Sequence, residues 1–311
     1  MDRIKPLLIF IALVLSLKSL SQEQLYYFTN ADSNLVGVRT LSGKTIIPLQ
    51  IPMVGYYDFE APITTAFIEF SYTLPDTTTD RMNPNQSVGC VYDREGNFVY
   101  TPFLYDNGPD YWQEGIRRYI SNGKVGYVDI NNTILTVAKT GFAEMFNYGY
   151  ASFYEGAVTK VYEPGGEHWT VSPTDEKGRE YLVNREGKKV YGSKNPASPK
   201  DYFYGELYYP YPFRYTAAEQ RILDGLHQFT AISKVDKLLF SGGQPKLDSI
   251  QFEIVGRPSK FTPYYTIQGY KEQQADDNWV IDATANGQYF YTRYGERIAL
   301  GLWIDEQLEK N

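Results

Sequence analysis

A short β-hairpin pattern occurs four times within the first 192 residues, and it limits the fold more than any other feature. Residues 126–135 show it in full, with an apolar strand before Asp129, a tight turn ending at Asn132, and a second apolar strand. The fourth turn residue must adopt positive φ, which favours Gly or Asn, and an Asp, Asn or Thr three residues earlier can accept bonds from turn amides. The other copies lie at residues 38–47, 91–99 and 182–190. The pattern predicts an array of hairpins, and such arrays usually bind other molecules rather than catalyse reactions.

These hairpins resemble the WG (KWG) repeat family of bacterial proteins. Residues 122–129, Asn-Gly-Lys-Val-Gly-Tyr-Val-Asp, are similar to the family's Gly-Lys-Trp-Gly-Tyr-Ile-Asp core, with Val125 in place of the Trp. Residues 112–116 and 153–157 are similar to its aromatic-x-Glu-Gly-hydrophobic strand start. The resemblance covers roughly residues 34–192, and the unequal spacing of the turns implies insertions. It implies a binding or scaffold role and brings no catalytic residues with it.

Residues 1–21 are typical of a secretory signal peptide. A basic start, Arg3 and Lys5, precedes an apolar run at residues 7–17, and small side chains occupy the cleavage positions. The run is too short for a membrane-spanning helix, which needs about 20 residues. We therefore expect cleavage near Ser21 and Gln22, a periplasmic or secreted protein, and no membrane span.

Charge, cysteine and histidine content limit the partners and cofactors. The formal net charge is −7, so the chain would repel phosphates, and nucleic acid is not an expected partner. Cys90 is the only cysteine, which rules out an internal disulfide. His168 and His227 are the only histidines and fall in different predicted domains, whereas a zinc site needs several His or Cys ligands. We expect no metal and no cofactor.

The sequence pattern changes after residue 192. Residues 22–192 alternate short strands with Gly, Pro and Asn turns and predict a WG-like β-repeat domain. Residues 193–201 are small, polar and Pro-containing, which is typical of a linker that a protease would cut. Residues 202–311 predict an α+β domain with one helix on an antiparallel meander. The predicted fold is therefore mainly β, with two domains.

The predicted C-terminal domain contains one helix signal followed by strand signals. Thr216 and Glu219 form a capping-box sequence, and the apolar spacing after them predicts a helix over residues 217–229. Asn286-Gly287 is typical of a two-residue hairpin turn, and we place Asp276-Asp277 at another hairpin tip rather than at a calcium site. The expected strands are residues 249–255, 262–270, 278–283 and 288–304, the last broken near Gly295.

A pair of carboxylates is the one catalytic arrangement that the composition permits. Glu114 and Glu155 hold matching positions in the two aromatic-x-Glu-Gly elements, and glycoside hydrolysis requires two acids across a groove. The alternative is that each carboxylate accepts bonds from backbone amides or is solvated. The chain contains no Gly-x-Ser-x-Gly elbow, P-loop or Gly-x-Gly-x-x-Gly motif. We therefore expect a protein that is not an enzyme.

Aromatic side chains are the candidate ligand-binding residues, because the chain contains 29 Tyr and 17 Phe. Tyrosine favours strands and can pack its ring while its hydroxyl stays in water. In the N-terminal domain the candidates are Trp112, Tyr148, Tyr150 and Tyr154, and in the Pro-containing run 208–215 they are Tyr209 and Tyr211. Each group either stacks on a sugar or peptide or packs inside the protein. For the run 208–215 we expect packing between the two domains.

These observations predict an exported, non-enzymatic binding or scaffold protein of the bacterial cell envelope. Its partner would be an envelope or extracellular protein or glycan, contacted through aromatic-rich β surfaces. One alternative is a glycoside-hydrolase-like enzyme that uses paired carboxylates. Another is a protein whose repeats present a functional C-terminal domain.

Overall fold

The computed structural model describes most of the chain between residues 23 and 298. Some residues with predicted roles lie outside the described residues: residues 1–21, His168 and Asn286-Gly287. The described ranges are 23–54, 56–73, 87–105, 108–162, 169–174, 178–237, 250–284, 290–291 and 297–298.

Strands dominate the described residues, which confirms the mainly β prediction. Before the helix they are β1 (Leu25–Thr29), β2 (Leu35–Thr40), β3 (Thr45–Pro52), β4 (Ile68–Thr73), β5 (Ser87–Tyr92), β6 (Phe98–Pro102), β7 (Leu104–Tyr105), β8 (Gly108–Pro109), β9 (Ile116–Ser121), β10 (Lys124–Asp129), β11 (Ile134–Thr140), β12 (Phe142–Ala143), β13 (Tyr150–Glu155), β14 (Val158–Tyr162), β15 (Trp169–Pro173), β16 (Arg179–Asn184), β17 (Lys189–Val190), β18 (Tyr202–Tyr204) and β19 (Leu207–Tyr209). After helix α1 (Ala217–Lys237) come β20 (Ile250–Gly256), β21 (Tyr264–Lys271), β22 (Gln274–Thr284), β23 (Phe290–Tyr291) and β24 (Arg297–Ile298).

The strands pair antiparallel in a series of small sheets. The larger ones have the orders β1-β2-β3, β11-β10-β9-β6-β5-β4, β12-β13-β16-β17 and β20-β21-β22-β23-β24. Strands β7-β8, β14-β15 and β18-β19 form two-stranded ribbons. Most neighbouring strands are also neighbours in sequence, as expected for a chain built from hairpins.

All four hairpin turns have the geometry that the sequence predicts. The fourth residue of each turn has positive φ: Gly43 (91°), Gly96 (89°), Asn132 (67°) and Gly187 (70°). The side-chain oxygen of each first residue accepts a bond from the backbone N–H four positions later: Thr40, Asp93, Asp129 and Asn184. These contacts are local in sequence, which is why the turns could be predicted.

Two of the turn glycines are also needed because the turns pack closely on a preceding hairpin. A Cβ atom on Gly96 would lie 2.8 Å from the carbonyl oxygen of Ile46 on β3. A Cβ atom on Gly187 would lie 2.5 Å from the carbonyl oxygen of Leu135 on β11. Each of these hairpins therefore rests its turn on the second strand of an earlier one.

The C-terminal half has the predicted arrangement of one helix on an antiparallel sheet. The Thr216 amide donates to the Glu219 carboxylate (2.7 Å) and the Glu219 amide to the Thr216 hydroxyl (3.3 Å), so the capping box is confirmed. Helix α1 continues past the predicted end at residue 229 to Lys237. Its apolar face packs on β20 to β22 in a core of aliphatic and aromatic side chains: Ile222, Leu223, Leu226, Ile250, Phe252, Ile254, Ile267, Trp279, Ile281 and Ala283.

The predicted hairpin tip at Asp276-Asp277 is wrong, since both residues lie within β22. The turn that joins β21 to β22 is formed by Glu272 and Gln273, which both have positive φ (49° and 64°). Neither residue is a typical choice for such a turn. The polar pair Asp276-Asp277 therefore gave the stronger turn signal in the sequence.

Candidate ligand-binding cleft at the junction of the two halves

A tyrosine-rich cluster joins the N-terminal half (residues 23–192) to the C-terminal half (residues 202–298). Five of the eight buried members of this junction cluster are tyrosines: Tyr148, Tyr150, Leu182, Tyr202, Tyr209, Phe213, Val255 and Tyr270. Both halves contribute side chains, and the burial of large aromatic rings gives the contact a substantial apolar area. The two halves therefore share a continuous buried core.

Tyr148 lies at the centre of the junction cluster and is fully buried. Its ring centroid is 5.2 Å from that of Tyr270 and 5.5 Å from that of Phe213, both in the C-terminal half. Its hydroxyl donates to the Lys200 carbonyl (3.2 Å) and accepts from the Gln251 amide (2.7 Å). Burial raises the pKa of this hydroxyl. Tyr148 has no open ring face for a ligand, so its role is packing.

A tight turn holds Tyr148 in this position. Tyr148 and Gly149 have positive φ, 52° and 75°, and the flanking Asn147 and Tyr150 exchange two backbone hydrogen bonds. A Cβ atom on Gly149 would lie 2.6 Å from the ring of Pro212. Glycine is therefore required both by the backbone conformation and by the approach of the C-terminal half.

Glu114 and Gly115 form a second turn of the same kind, with φ values of 54° and 72° and two backbone bonds between the flanking residues. The structural counterpart of Glu114 is therefore Tyr148, and the predicted match between Glu114 and Glu155 is wrong. Glu155 is instead the last residue of β13. The aromatic-x-Glu-Gly motif lies once at a turn and once at the end of a strand, and the sequence pattern alone could not distinguish the two cases.

The Glu114 carboxylate is fully buried in the junction. It accepts hydrogen bonds from the Gly149 amide (3.0 Å), Arg185 Nη1 (2.9 Å) and the Tyr270 hydroxyl (2.6 Å). Burial raises the pKa of Glu114, and the charge of Arg185 opposes that effect. Arg185 Nη2 also donates to the carbonyls of Glu114 and Val255. This ion pair therefore connects a turn of the N-terminal half to β20 of the C-terminal half.

Glu155 lies in a different environment, so the two carboxylates do not form a catalytic pair. It is half-exposed, accepts a bond from the Tyr181 hydroxyl (2.5 Å) and lies 3.8 Å from Lys139 Nζ. A strand rises about 3.3 Å per residue, so the length of β13 places Glu155 roughly 16 Å from the end that adjoins Gly149 and Glu114. Paired glycosidase carboxylates lie no more than about 9.5 Å apart.

The segment 208–215 packs against both halves, as expected from the sequence. Tyr209 is buried, and Tyr211 is half-buried with its hydroxyl donating to Glu253 (2.6 Å). The Tyr211 amide donates to Asp201 (3.0 Å), which also accepts from the amide of Ala197 (2.7 Å). The expected linker, residues 193–201, is exposed but anchored at its end through this carboxylate.

A cleft of about 520 Å³ opens beside the junction cluster. Its walls are the fourth hairpin turn (residues 184–186), the Pro-containing segment (residues 210–214), and the end of β20 with Arg257. Tyr150 and Tyr211 reach its lining, while Tyr148 and Tyr209 pack behind it. Tyr150 is buried and Tyr211 is half-buried, and Lys200 Nζ lies 5.0 Å from the centroid of the Tyr211 ring.

Three arginines line this junction cleft, together with one acidic residue, Glu186. Arg185 is paired with Glu114, and Arg257 donates through Nε to Glu219 (2.7 Å) and through Nη2 to the Arg214 carbonyl (2.9 Å). The exposed Arg214 side chain has no acidic partner among the described residues. Sequence reasoning missed these arginines because they come from segments that only the fold brings together.

The other two candidate residues lie away from the cleft. Trp112 stacks on Phe67, with centroids 5.3 Å apart, and Arg117 lies over its ring at 4.3 Å. It is partly buried and packs against a separate cluster of buried residues from the N-terminal half, against which Phe261 of the C-terminal half also packs. Tyr154 is half-buried on β13, opposite Phe142. The structure therefore brings together Tyr148, Tyr150, Tyr209 and Tyr211, but not Trp112 or Tyr154.

The described residues contain no group of three or more His, Cys, Asp or Glu residues close enough to hold a metal ion. Burial raises the pKa of Cys90 to about 12, which disfavours the reactive thiolate. His227 is exposed on α1, with its ring centroid 5.9 Å from that of Phe252. Within the described part of the chain, α1 lacks the length of apolar sequence that crossing a membrane requires.

Comparison with protein-family models, curated proteins and solved structures finds no match for this chain.

Proposed function

We propose that this protein is an exported, non-enzymatic binding or scaffold module of the bacterial cell envelope, and that its ligand site is the junction cleft. The observation that supports this proposal is the cleft itself: about 520 Å³, with three guanidinium groups and a half-buried tyrosine ring in its lining. Small-ligand sites usually occupy about 300–1,000 Å³ and lie where two domains meet.

The walls of the cleft are well suited to a preformed site. Pro210 and Pro212 restrict the backbone of one wall, and Gly149 packs directly on Pro212 behind it. Arg185 is fixed on the other wall by its bonds to Glu114 and Val255. A rigid site loses little conformational entropy when a ligand binds, which favours affinity.

Binding fits the chemistry of the cleft better than catalysis does. Two buried carboxylates beside the cleft, Glu114 and Glu253, each already accept bonds from three donors. The acid in the lining itself, Glu186, is exposed at the fourth turn. A general acid or base must reach a substrate proton within hydrogen-bond distance, and a carboxylate held by three internal donors is poorly placed to do so.

The site is proposed to take part of a glycan or of a protein from the envelope or the extracellular space. The cleft combines contributions from both halves, since its turn comes from residues 184–186 and its opposite walls from residues 210–214 and 254–257. This favours a site shared by the two halves over one in which the hairpins only present the C-terminal half.

The proposal is tested by filling the mouth of the cleft in the full chain. In Glu186→Trp a bulky ring replaces an exposed side chain at the third position of the fourth turn. Glu95→Trp is the matched control, because Glu95 holds the same position in the second turn, Asp93-Arg94-Glu95-Gly96. Both variants are applied to a glycan array and to envelope extract. We expect Glu186→Trp to lose the ligand and Glu95→Trp to retain it; equal binding by both would overturn the proposal.

A further inference from the structure

We propose that the junction cleft recognises a sugar unit that carries a carboxylate, such as a uronic acid within a glycan. This inference depends on the proposed function and specifies its ligand class. The chain has a formal net charge of −7, yet three arginines lie around this one cavity.

Among the described residues, the ion pairs around the cleft leave one of its three arginines without a carboxylate contact. Glu114 compensates Arg185 and Glu219 compensates Arg257, through contacts of 2.9 Å and 2.7 Å. Arg214 has no such partner within the described residues. Because the other two guanidinium groups already contact carboxylates, the exposed Arg214 is the residue expected to pair with a ligand carboxylate.

The donors around Arg214 suit a carboxylate group in particular. Arg257 uses Nε for Glu219 and Nη2 for the Arg214 carbonyl, which leaves its Nη1 group for a further acceptor. A carboxylate can accept two parallel bonds from one guanidinium, and a neighbouring guanidinium adds a further donor. The planar fork of arginine recognises this group more specifically than a lysine would.

The remaining lining suits a sugar ring rather than an extended peptide. Tyr211, Pro210 and Pro212 line the cleft and supply apolar surface against which a sugar can pack, with Lys200 Nζ 5.0 Å from the centroid of the Tyr211 ring. The cleft volume, about 520 Å³, is within the range that surrounds a small ligand. An extended peptide is recognised by a free strand edge or a long groove, whereas this cleft is bounded by turns and a Pro-containing segment.

The test uses trigalacturonic acid and its methyl ester, which keep the same sugar chain but differ in carboxylate charge. Isothermal titration with the full chain is expected to show binding of the acid and at least about tenfold weaker binding of the ester, because charged hydrogen bonds are lost. Arg214→Gln is expected to weaken binding of the acid by about tenfold or more. Arg221→Gln is the matched control, since Arg221 is an exposed arginine on α1 outside the cleft lining, and it is expected to change nothing.

A second variant changes the charge in the opposite direction. Glu186→Gln removes the one acid from the cleft lining and is expected to strengthen binding of the acid by roughly two- to threefold. Thermal unfolding of each variant verifies that it folds. Equal binding of acid and ester, no binding of the acid, or equal losses in Arg214→Gln and Arg221→Gln would overturn the inference. A neutral glycan lost in Glu186→Trp but kept in Glu95→Trp would overturn it too, yet would leave the proposed function standing.

Discussion

The core of the C-terminal half and the junction cluster bury similar kinds of surface but are built differently. The C-terminal core contains aliphatic side chains with Phe252 and Trp279, and none of its fully buried members is a tyrosine. The junction cluster has tyrosines in five of its eight buried positions. Three of these tyrosines donate from their hydroxyls to defined acceptors: Tyr148 to the Lys200 carbonyl, Tyr150 to the Pro210 carbonyl and Tyr270 to Glu114.

Because of this difference, the two regions should differ in how strictly their side chains determine their geometry. An aliphatic core tolerates changes of shape when its volume is conserved, because it has no directional bonds to satisfy. A buried hydroxyl or carboxylate must keep its partner, since an unpaired polar group costs about 1–3 kcal/mol. The junction should therefore fix the relative position of the two halves, and with it the shape of the cleft, more strictly than packing alone would.

Removing rings from the junction should have the largest effect. In the double variant Tyr209→Ala and Tyr211→Ala, we expect a loss of about 3–5 kcal/mol from the buried Tyr209 and a smaller loss from the half-buried Tyr211. Replacing the exposed Tyr191 and Phe203 by Ala is the matched control and should change stability little. Urea unfolding measures both variants. An unchanged midpoint in the junction variant would show that the segment 208–215 is not a packed connection.

Removing one partner of the buried ion pair should have the next largest effect. Arg185→Met leaves the Glu114 carboxylate buried without its cation, and the expected loss is about 3–5 kcal/mol. Arg94→Met is the matched control, because Arg94 holds the same position in the second turn but donates to the carbonyls of Ile63 and Thr65. Urea unfolding should give a clearly smaller loss for Arg94→Met. Equal losses in the free energy of unfolding would mean that the buried charge of Glu114 adds no extra cost when its arginine is removed.

Deleting a single hydroxyl separates hydrogen bonding from packing. Tyr270→Phe keeps the ring but removes the donor to Glu114, and we expect a loss of about 1–3 kcal/mol. In Tyr208→Phe the lost hydroxyl has no hydrogen-bond partner among the described residues, so that variant should be nearly neutral. Thermal and urea unfolding compare the two. If neither variant changes the stability, the hydroxyl of Tyr270 does not contribute and the junction is held by apolar packing alone.

The smallest predicted effect is a dependence of stability on pH. Because burial raises the folded-state pKa of Glu114 above its ordinary value of 4.5, the folded protein binds this proton more tightly than the unfolded chain does. The resulting stabilisation is complete below about pH 4.5 and decreases as pH rises through the folded pKa. The difference in unfolding free energy between the unchanged protein and Glu114→Gln should therefore fall with rising pH. A rising difference would show that pairing with Arg185 dominates over burial.

Local signals in the sequence predicted much of the fold. The turn residues Asp129 and Asn132, and the capping pair Thr216 and Glu219, act within a few positions of each other, so their roles could be predicted from spacing. The turn at Glu272-Gln273 was missed because neither residue is a strong turn former, and its conformation is set by the register of β21 and β22.

The site was harder to predict because its contacts are distant in sequence. Glu114, Gly149, Arg185 and Tyr270 meet only after the hairpins and the C-terminal sheet have packed together. Aromatic composition indicated the segment 208–215 correctly as a contact between halves, but it could not separate the buried Tyr209 from the half-buried Tyr211. The three cleft arginines carry no local motif at all.

Hydrogen exchange of the unmodified full chain, followed by mass spectrometry at increasing urea, tests most directly whether the junction makes the two halves one unit. We predict that amides of β13 in the N-terminal half and β20 in the C-terminal half open with the same free energy and the same urea dependence. In the Tyr209→Ala and Tyr211→Ala double variant, the two values should separate. If β20 already opens at lower free energy in the unchanged protein, and the double variant leaves that value unaltered, the junction does not couple the halves and the account is contradicted.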